Sequence, residues 1–226
     1  MLFPNVDVLP SAQRMLWAEL KDTPKSFVLY GGTALALHLG HRQSEDFDFF
    51  SGKAFQPIAL LDRIAYLKNA EIVQSQENTL TAIVDREGPV KVSFFGAVGL
   101  NRVQDPELIK ENGIHVASLM DIVATKLKTV QQRAQARDYI DVAAALGTGL
   151  ALAEALAAAE AIYGKEFNGA LSLKALSYFE DGDLPTLRPD IRQELRDAAT
   201  SVDLRRLPRL TAKAGINPGG EANERF

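Results

Sequence analysis

The 226-residue chain contains no cysteine. That excludes a disulfide framework, a thiolate zinc site and a cysteine nucleophile, so any metal must rest on carboxylates or imidazoles, and a cytoplasmic protein is the expectation. Long hydrophobic runs are missing as well. The longest uncharged stretches, Ser26 to His41 and Val142 to Ala153, are interrupted by Gly or His and fall short of the roughly 20 apolar residues that span a bilayer, so no membrane segment is expected. The segment Met1 to Pro10 has no basic residue and lacks the charged start of a secretory signal. Positive charge is not in excess either. A net charge of −4 argues against a protein that coats nucleic acid through its overall field, although a local basic groove is compatible with it. The one basic stretch, Arg188 to Lys213, carries Arg192, Arg196, Arg205, Arg206 and Arg209 against Asp190, Glu194, Asp197 and Asp203, and reads as a solvated helix face with local ion pairs.

What is present, 46% apolar residues over this length, can bury a full core. The expected class is α+β: a mixed β-sheet flanked by helices over residues 1–115, a helical bundle over 116–216 and a disordered tail over 217–226 that contains Pro218-Gly-Gly220. Phe27-Val-Leu-Tyr30 reads as a buried strand ending at Gly31-Gly32. A short helix from Thr33 to Leu39 follows and stops at Gly40. Further strands are expected at Asp46 to Phe50, within Ile72 to Val84 and at Pro89 to Phe95, with a helix over Pro57 to Leu67. Ser118-Leu-Met-Asp121 has the form of a capping box and opens a helical stretch running to the Gly147/Gly149 break; Ala151 to Tyr163 and Pro189 to Val202 are further helices.

Two features carry chemistry. In Asp46-Phe-Asp-Phe-Phe50 the strand period of two turns both carboxylates to one face and Phe47 and Phe49 to the other, so Asp46 and Asp48 can share one hard cation. Upstream, Gly31-Gly32-Thr33 lies between a strand and a helix, where backbone N–H groups and the positive helix end can cradle a triphosphate. Taken singly, each has a plain structural reading, since acidic pairs on exposed strands and glycines at tight connections are common. Their combination points to nucleotide chemistry. In the second half, Lys126, Arg133, Arg137 and Asp141 fall within an arc of about 80° if one helix carries them all, which makes a charged stripe.

On these residues the chain resembles the AbiEii-type nucleotidyltransferase toxins of type IV toxin–antitoxin systems, within the DNA polymerase β-like superfamily. Gly31-Gly-Thr-Ala-Leu35 and His41-Arg-Gln-Ser-Glu-Asp-Phe-Asp-Phe49 carry the first motif; Lys126-Leu-Lys-Thr-Val-Gln-Gln-Arg133 with Ala134-Gln-Ala-Arg-Asp-Tyr-Ile-Asp141 carries the second. The resemblance implies Asp46 and Asp48 as ligands of Mg²⁺ (or Mn²⁺), and Gly31, Gly32, Thr33, Arg42, Ser44, Arg133 and Arg137 as nucleotide contacts. It also implies that Lys126 and Asp141 complete the site, with the lysine neutralising phosphate charge, while Asp141 or Asp138 holds the lysine or orients an acceptor hydroxyl. The expected activity is metal-dependent transfer of a nucleoside monophosphate from an NTP to an acceptor such as tRNA or protein, opposed by a separately encoded antitoxin.

One position departs from the superfamily. Val90-Lys-Val-Ser-Phe-Phe95 has Ser93 where a third metal carboxylate often stands, with Asp85 or Glu87 as substitutes if the hairpin bends inward. This leaves room for a catalytically weak or inactive nucleotide- or protein-binding module of the same fold. A third reading is a metal-dependent phosphohydrolase using His38 and His41 with the aspartates, against which His38 falls on the apolar repeat Leu35, Leu37, Leu39 and reads as a core residue.

Overall fold

The structure, a computed structural model, describes residues 1–217. The chain divides into two compact units. Of the described residues, the first comprises Met1–Leu100, Asp105–Ser118 and 215–217; the second comprises Asn101–Gln104 and Leu119–Ala214. None of the helices among the described residues is long and apolar enough to cross a membrane.

The first unit begins with helix α1 (Ser11–Trp17), strand β1 (Val28–Tyr30), helix α2 (Gly31–Leu39) and strand β2 (Asp46–Phe50). Helix α3 (Pro57–Arg63) follows, then strands β3 (Glu71–Gln76), β4 (Thr79–Asp85) and β5 (Pro89–Phe95) and the short strands β6 (Glu107–Leu108) and β7 (His115–Val116). All seven strands join one mixed sheet in the order β3-β4-β5-β2-β1-β7-β6. β2 lies at its centre, antiparallel to β1 and parallel to β5.

The alternation along β2 sorts its two faces as expected. Phe47 and Phe49 are fully buried, and they join a run of rings in which Trp17 stacks on Phe47 (6.5 Å), Phe49 on Phe94 (5.4 Å) and Phe27 meets Phe94 edge-on (5.1 Å). Burying each such ring contributes roughly 1.5–3 kcal/mol. The opposite face carries Asp46 and Asp48, with Phe50 packed between Tyr30 (5.5 Å) and Phe95 (5.0 Å).

Local starts and stops follow the residues. α2 begins at Gly31, two residues before the expected start at Thr33, and ends at Gly40, whose φ of 65° and N–H bond to the Ala36 carbonyl (2.7 Å) close the last turn. The helix expected over Pro57 to Leu67 is split: Ile64 is extended, and Ala65–Leu67 forms a separate 3₁₀ turn. Ile72 to Val84 resolves into the β3–β4 hairpin, turned by Asn78 at φ 60°. Asn217, expected to begin a disordered tail, accepts a bond from the Gly52 N–H (3.1 Å) and donates one to the Ser26 carbonyl; the rest of that tail lies outside the described residues.

The second unit is built of α4 (Leu119–Thr129), α5 (Ala136–Leu146), α6 (Leu152–Tyr163), α7 (Gly169–Ala175) and α8 (Pro189–Ser201). Its core contains Ile122, Val123 and Leu127 of α4, Tyr139 and Val142 of α5 and the alanine-rich buried side of α6, with α4 packed against both α5 and α6. Asp121, at the start of α4, accepts the N–H groups of Val103 (2.8 Å) and Gln104 (3.1 Å) and so ties the Asn101–Gln104 segment to this unit.

The single helical stretch expected from Ser118 to Gly147 is corrected here: it is two helices. Gln135 is extended (φ −122°, ψ 122°), and α5 restarts with its Ala136 N–H donating to the Asp183 carboxylate at 2.7 Å. The break contains neither Gly nor Pro, and the carboxylate that receives the new helix end lies far downstream.

His38 on α2 is a packing residue, as its place in the apolar repeat suggests. Its Nε2 donates to the Ala117 carbonyl at 2.8 Å, and burial holds its pKa below the ordinary value despite that bond and the nearby Glu107 carboxylate. A group whose folded pKa is depressed takes up protons more readily when unfolded, so stability should fall as pH drops below the unfolded value of about 6.5. We expect urea midpoints at pH 7.5 and 5.5 to differ less for His38→Gln than for the parent. Equal differences would mean that His38 titrates alike in both states.

Candidate active site

Three strands place the acidic pair. In the Cα register Tyr30 of β1 sits opposite Asp48, while on the other side of β2 Lys91 and Ser93 of β5 sit opposite Asp46 and Asp48. Because Gly31 directly follows Tyr30, the start of α2 is delivered beside the Asp48 carboxylate. Gly31 has φ +77°, which favours glycine, and a Cβ there would stand 3.1 Å from Asp48 Oδ2. A Cβ on Gly32 would stand 2.8 Å from Arg42 Nη2 and 2.9 Å from Ser44 Oγ. Gly31, Gly32, Arg42, Ser44 and Asp48 therefore meet at one place, the N-terminal end of a nine-residue helix.

Thr33 has a different position. Its side chain is buried, and its hydroxyl donates to the main-chain carbonyl of Asp46, tying α2 to β2. A residue that sequence reasoning missed is Lys91, whose ammonium lies 3.3 Å from Asp46 Oδ2 with both side chains partly exposed. Such a pair contributes on the order of 0–1 kcal/mol to stability. Its weight is electrostatic, since it sets a cation beside the acids. The alternation Val90-Lys91-Val92 was the available signal, but nothing local showed that β5 pairs with β2.

The residues fit a divalent cation in one way only. Among the described residues no group of three or more His, Asp or Glu side chains gathers as a metal site. Ser93 is buried opposite Asp48 with Thr81 Oγ1 at 3.5 Å, and the proposed substitutes stand elsewhere. Asp85 pairs with Pro89 at the far end of the hairpin and accepts the Gly88 N–H, four residues along β5 from Ser93 or roughly 13 Å; Glu87 is in the turn at φ 58°. Two carboxylates on one face of β2 suit one Mg²⁺, which takes oxygen ligands and keeps waters and phosphate oxygens for its other positions.

The second unit carries its own charged cluster. Lys126 Nζ lies 2.8 Å from Asp138 Oδ1 and 2.6 Å from Asp141 Oδ2, and Arg133 Nε donates to Asp138 Oδ2 at 2.7 Å. Both carboxylates are inaccessible to solvent and the lysine side chain is 8% exposed. Burial alone would raise the Asp138 pKa, but the hydrogen bonds and charges of Arg133 and Lys126 outweigh it and hold the group below the usual carboxylate range. The expected one-helix stripe is not how these residues meet. Lys126 belongs to α4, Arg133 to the turn and Asp138 and Asp141 to α5, while Arg137 is exposed with Nε 3.1 Å from Gln135 Oε1. A lysine ammonium has three donors; two go to the aspartates, and the third has no partner among the described residues.

The basic stretch in α8 and beyond is largely spent locally. Arg188 pairs with Asp190 and Arg205 with Asp203 (3.0 Å), each two residues apart, and Arg192 donates to the Leu187 carbonyl (2.8 Å).

The family model for the nucleotidyl transferase AbiEii toxin of type IV toxin–antitoxin systems matches residues 14–213. An uncharacterized protein of Aquifex aeolicus (strain VF5) is 33% identical over 118 residues, 51% of this chain and 55% of that protein, so the match spans about half of the relative's length. Among solved structures, MenT4, a nucleotidyltransferase toxin from Mycobacterium tuberculosis H37Rv, superposes with a TM-score of 0.56 at 16% identity, covering 85% of this chain and 83% of that one. A protein from H. pylori assigned as a nucleotidyltransferase gives 0.52 at 20% identity, covering 83% and 91%. At such identities the likeness carries the fold.

Gly32→Ala tests the cradle. Its methyl would displace the mobile ends of Arg42 and Ser44, so we expect a change in stability of about 1 kcal/mol or less, with affinity for Mg²⁺–NTP weakened about tenfold or more by calorimetry. Undiminished affinity would place the phosphates elsewhere.

Proposed function

Since the chain belongs to the AbiEii nucleotidyltransferase toxin family, we propose that it transfers a nucleoside monophosphate from a metal-bound NTP to an acceptor, with tRNA and protein as the candidate acceptors and a separately encoded antitoxin opposing it. The observation that carries this reading is the meeting of Asp48, Gly31, Gly32, Arg42 and Ser44 at the start of α2, where a carboxylate, a guanidinium and a hydroxyl gather at a helix N-terminus. In this proposal Asp46 and Asp48 hold Mg²⁺ or Mn²⁺, and the bound cation supplies charge neutralisation on the triphosphate. The N–H groups of Gly31 and Gly32, the Arg42 guanidinium and the Ser44 hydroxyl take the phosphate oxygens. Thr33 acts through Asp46, by fixing the main chain that presents it.

The reaction needs no covalent enzyme intermediate. An acceptor hydroxyl oxygen attacks the α-phosphorus, the bridging bond to the β-phosphate breaks, and pyrophosphate leaves with the negative charge while the hydroxyl proton passes to a carboxylate or water. The third N–H of Lys126 is proposed to serve the phosphates; Asp138 and Asp141 orient it, and Arg133 positions Asp138. Arg137, exposed on α5, is proposed as a further phosphate contact.

Incubation with each labelled NTP, Mg²⁺ and total RNA should move label onto the acceptor, and Asp48→Asn should abolish the transfer while leaving the melting temperature near that of the parent. Metal-dependent NTP binding without pyrophosphate release would favour a binding module instead. Lys126→Ala should cut transfer by about 10² or more. It also leaves two buried carboxylates without their cation, at a cost of about 3–5 kcal/mol, so the assay is run where denaturant titration shows the variant folded. Lys128→Ala, whose ammonium donates to the Glu166 carbonyl and lies over Tyr163, should transfer as the parent does. A sensitive Lys128 and an insensitive Lys126 would remove the lysine from the mechanism.

A further inference from the structure

The second unit contains a hollow of about 290 Å³ between the α4–α5 turn, α7 and the chain that follows α7. That volume is at the lower end of the range for small-ligand sites. Its base is apolar, with Val130, Tyr139 and Leu184 buried. The rim is different. Tyr178 and Leu171 are each 50% exposed, Lys174 is exposed, and Arg133 is held at the edge by its bonds to Asp138. Among the described residues the Tyr178 side chain stacks on no ring and accepts or donates no hydrogen bond, and Lys174 has no acidic partner. Asp181 is the one acid of the lining, and with the Arg133 guanidinium taken up by Asp138 the Lys174 ammonium is the cation the rim offers a ligand.

An aromatic face, an apolar base and an exposed ammonium within one small hollow are the parts that bind a nucleotide whose base is unstacked from its neighbours: a ring for the base and a cation for a flanking phosphate. A duplex offers no such base, because its bases are stacked and paired inside the helix. A purely apolar ligand would leave the Lys174 charge without use. We propose that this hollow takes one nucleotide of a single-stranded nucleic acid, with the base on Tyr178 and a phosphate on Lys174, and that it is where an acceptor strand docks. The docking itself stands on the hollow; the word acceptor rests on the transferase reading above.

The test uses the full chain and an unstructured fluorescein-labelled octanucleotide, as RNA and as DNA, followed by anisotropy across a salt series. The parent should bind the single strands and bind the corresponding duplex at least tenfold more weakly. Tyr178→Ala should weaken binding about tenfold or more and Tyr178→Trp should retain it, the pattern expected of stacking. Lys174→Ala should reduce the slope of log affinity against log salt by about 0.7, the loss of one phosphate contact on a single strand. Lys165→Ala, outside the hollow, should leave the slope unchanged. Comparison of RNA with DNA then shows whether the site reads the 2′-hydroxyl. Equal binding by Tyr178→Ala and the parent, preference for the duplex, or equal slope changes for Lys174→Ala and Lys165→Ala would each overturn the proposal. Asp48→Asn separates the two readings, for it should lose transfer and keep strand binding. Strand binding that depends on Tyr178 in a protein that never moves label would keep the docking site and remove the transferase reading, and the reverse result would do the opposite.

Discussion

The period of two along β2 is the constraint on which the rest of the first unit depends. One five-residue strand supplies the centre of the aromatic core through Phe47 and Phe49 and the acidic pair through Asp46 and Asp48. A slip of one residue would bury two carboxylates in a hydrocarbon interior and expose two phenyl rings, and burying an unpaired carboxylate costs several kcal/mol. The register is therefore held by the same residues that are proposed to carry the chemistry. It is also held from the side, because the Thr33 hydroxyl bonds the Asp46 carbonyl and so couples the position of the helix start to that of the strand. The proposed phosphate cradle and the proposed metal ligands are one construction, since Gly31 can lie against Asp48 only while β1 pairs with β2 in this register.

Charge is handled in opposite ways in the two units. Asp46 and Lys91 form a partly exposed pair in which either partner can exchange its contact for water or a ligand at little cost. Asp138 and Asp141 are enclosed beside Lys126, and the hydrogen bonds and charges of Arg133 and Lys126 hold the Asp138 carboxyl in its ionised form. Such a buried network adds little net stability over an apolar core, yet removing one member strands the others. Its effect is to fix a lysine side chain that would otherwise sample many rotamers, leaving one N–H in a defined place at the α4–α5 junction.

Much of this was legible in the sequence. The strand ending at Gly31-Gly32, the helix stop at Gly40, the alternation of β2 and the strand from Pro89 to Phe95 all rest on local rules, glycine at special backbone angles and a period of two. The meeting of Arg42 and Ser44 with Gly32 was legible only through the family resemblance. What escaped depended on partners distant in the chain. The break between α4 and α5 is received by Asp183, and the sheet edge made by β6 and β7 consists of two-residue strands too short to show a period. α7 escaped for another reason: it is a seven-residue helix capped locally by Asn168, too short for the helical period to show. Lys91 was visible as a residue and invisible as a neighbour of Asp46, because parallel pairing of β2 with β5 joins segments more than 40 residues apart.

The central claim is that a metal-bound triphosphate sits where Asp48 meets the first turn of α2. Paramagnetic broadening by Mn²⁺ in the presence of a non-hydrolysable NTP, read on the amide signals of ¹⁵N-labelled protein, locates the cation directly. The account predicts that the amides of Gly31, Gly32, Asp46 and Asp48 broaden first and that broadening requires the nucleotide's phosphates for its full extent. Broadening centred on any other part of the chain, with those four amides unaffected, would contradict it.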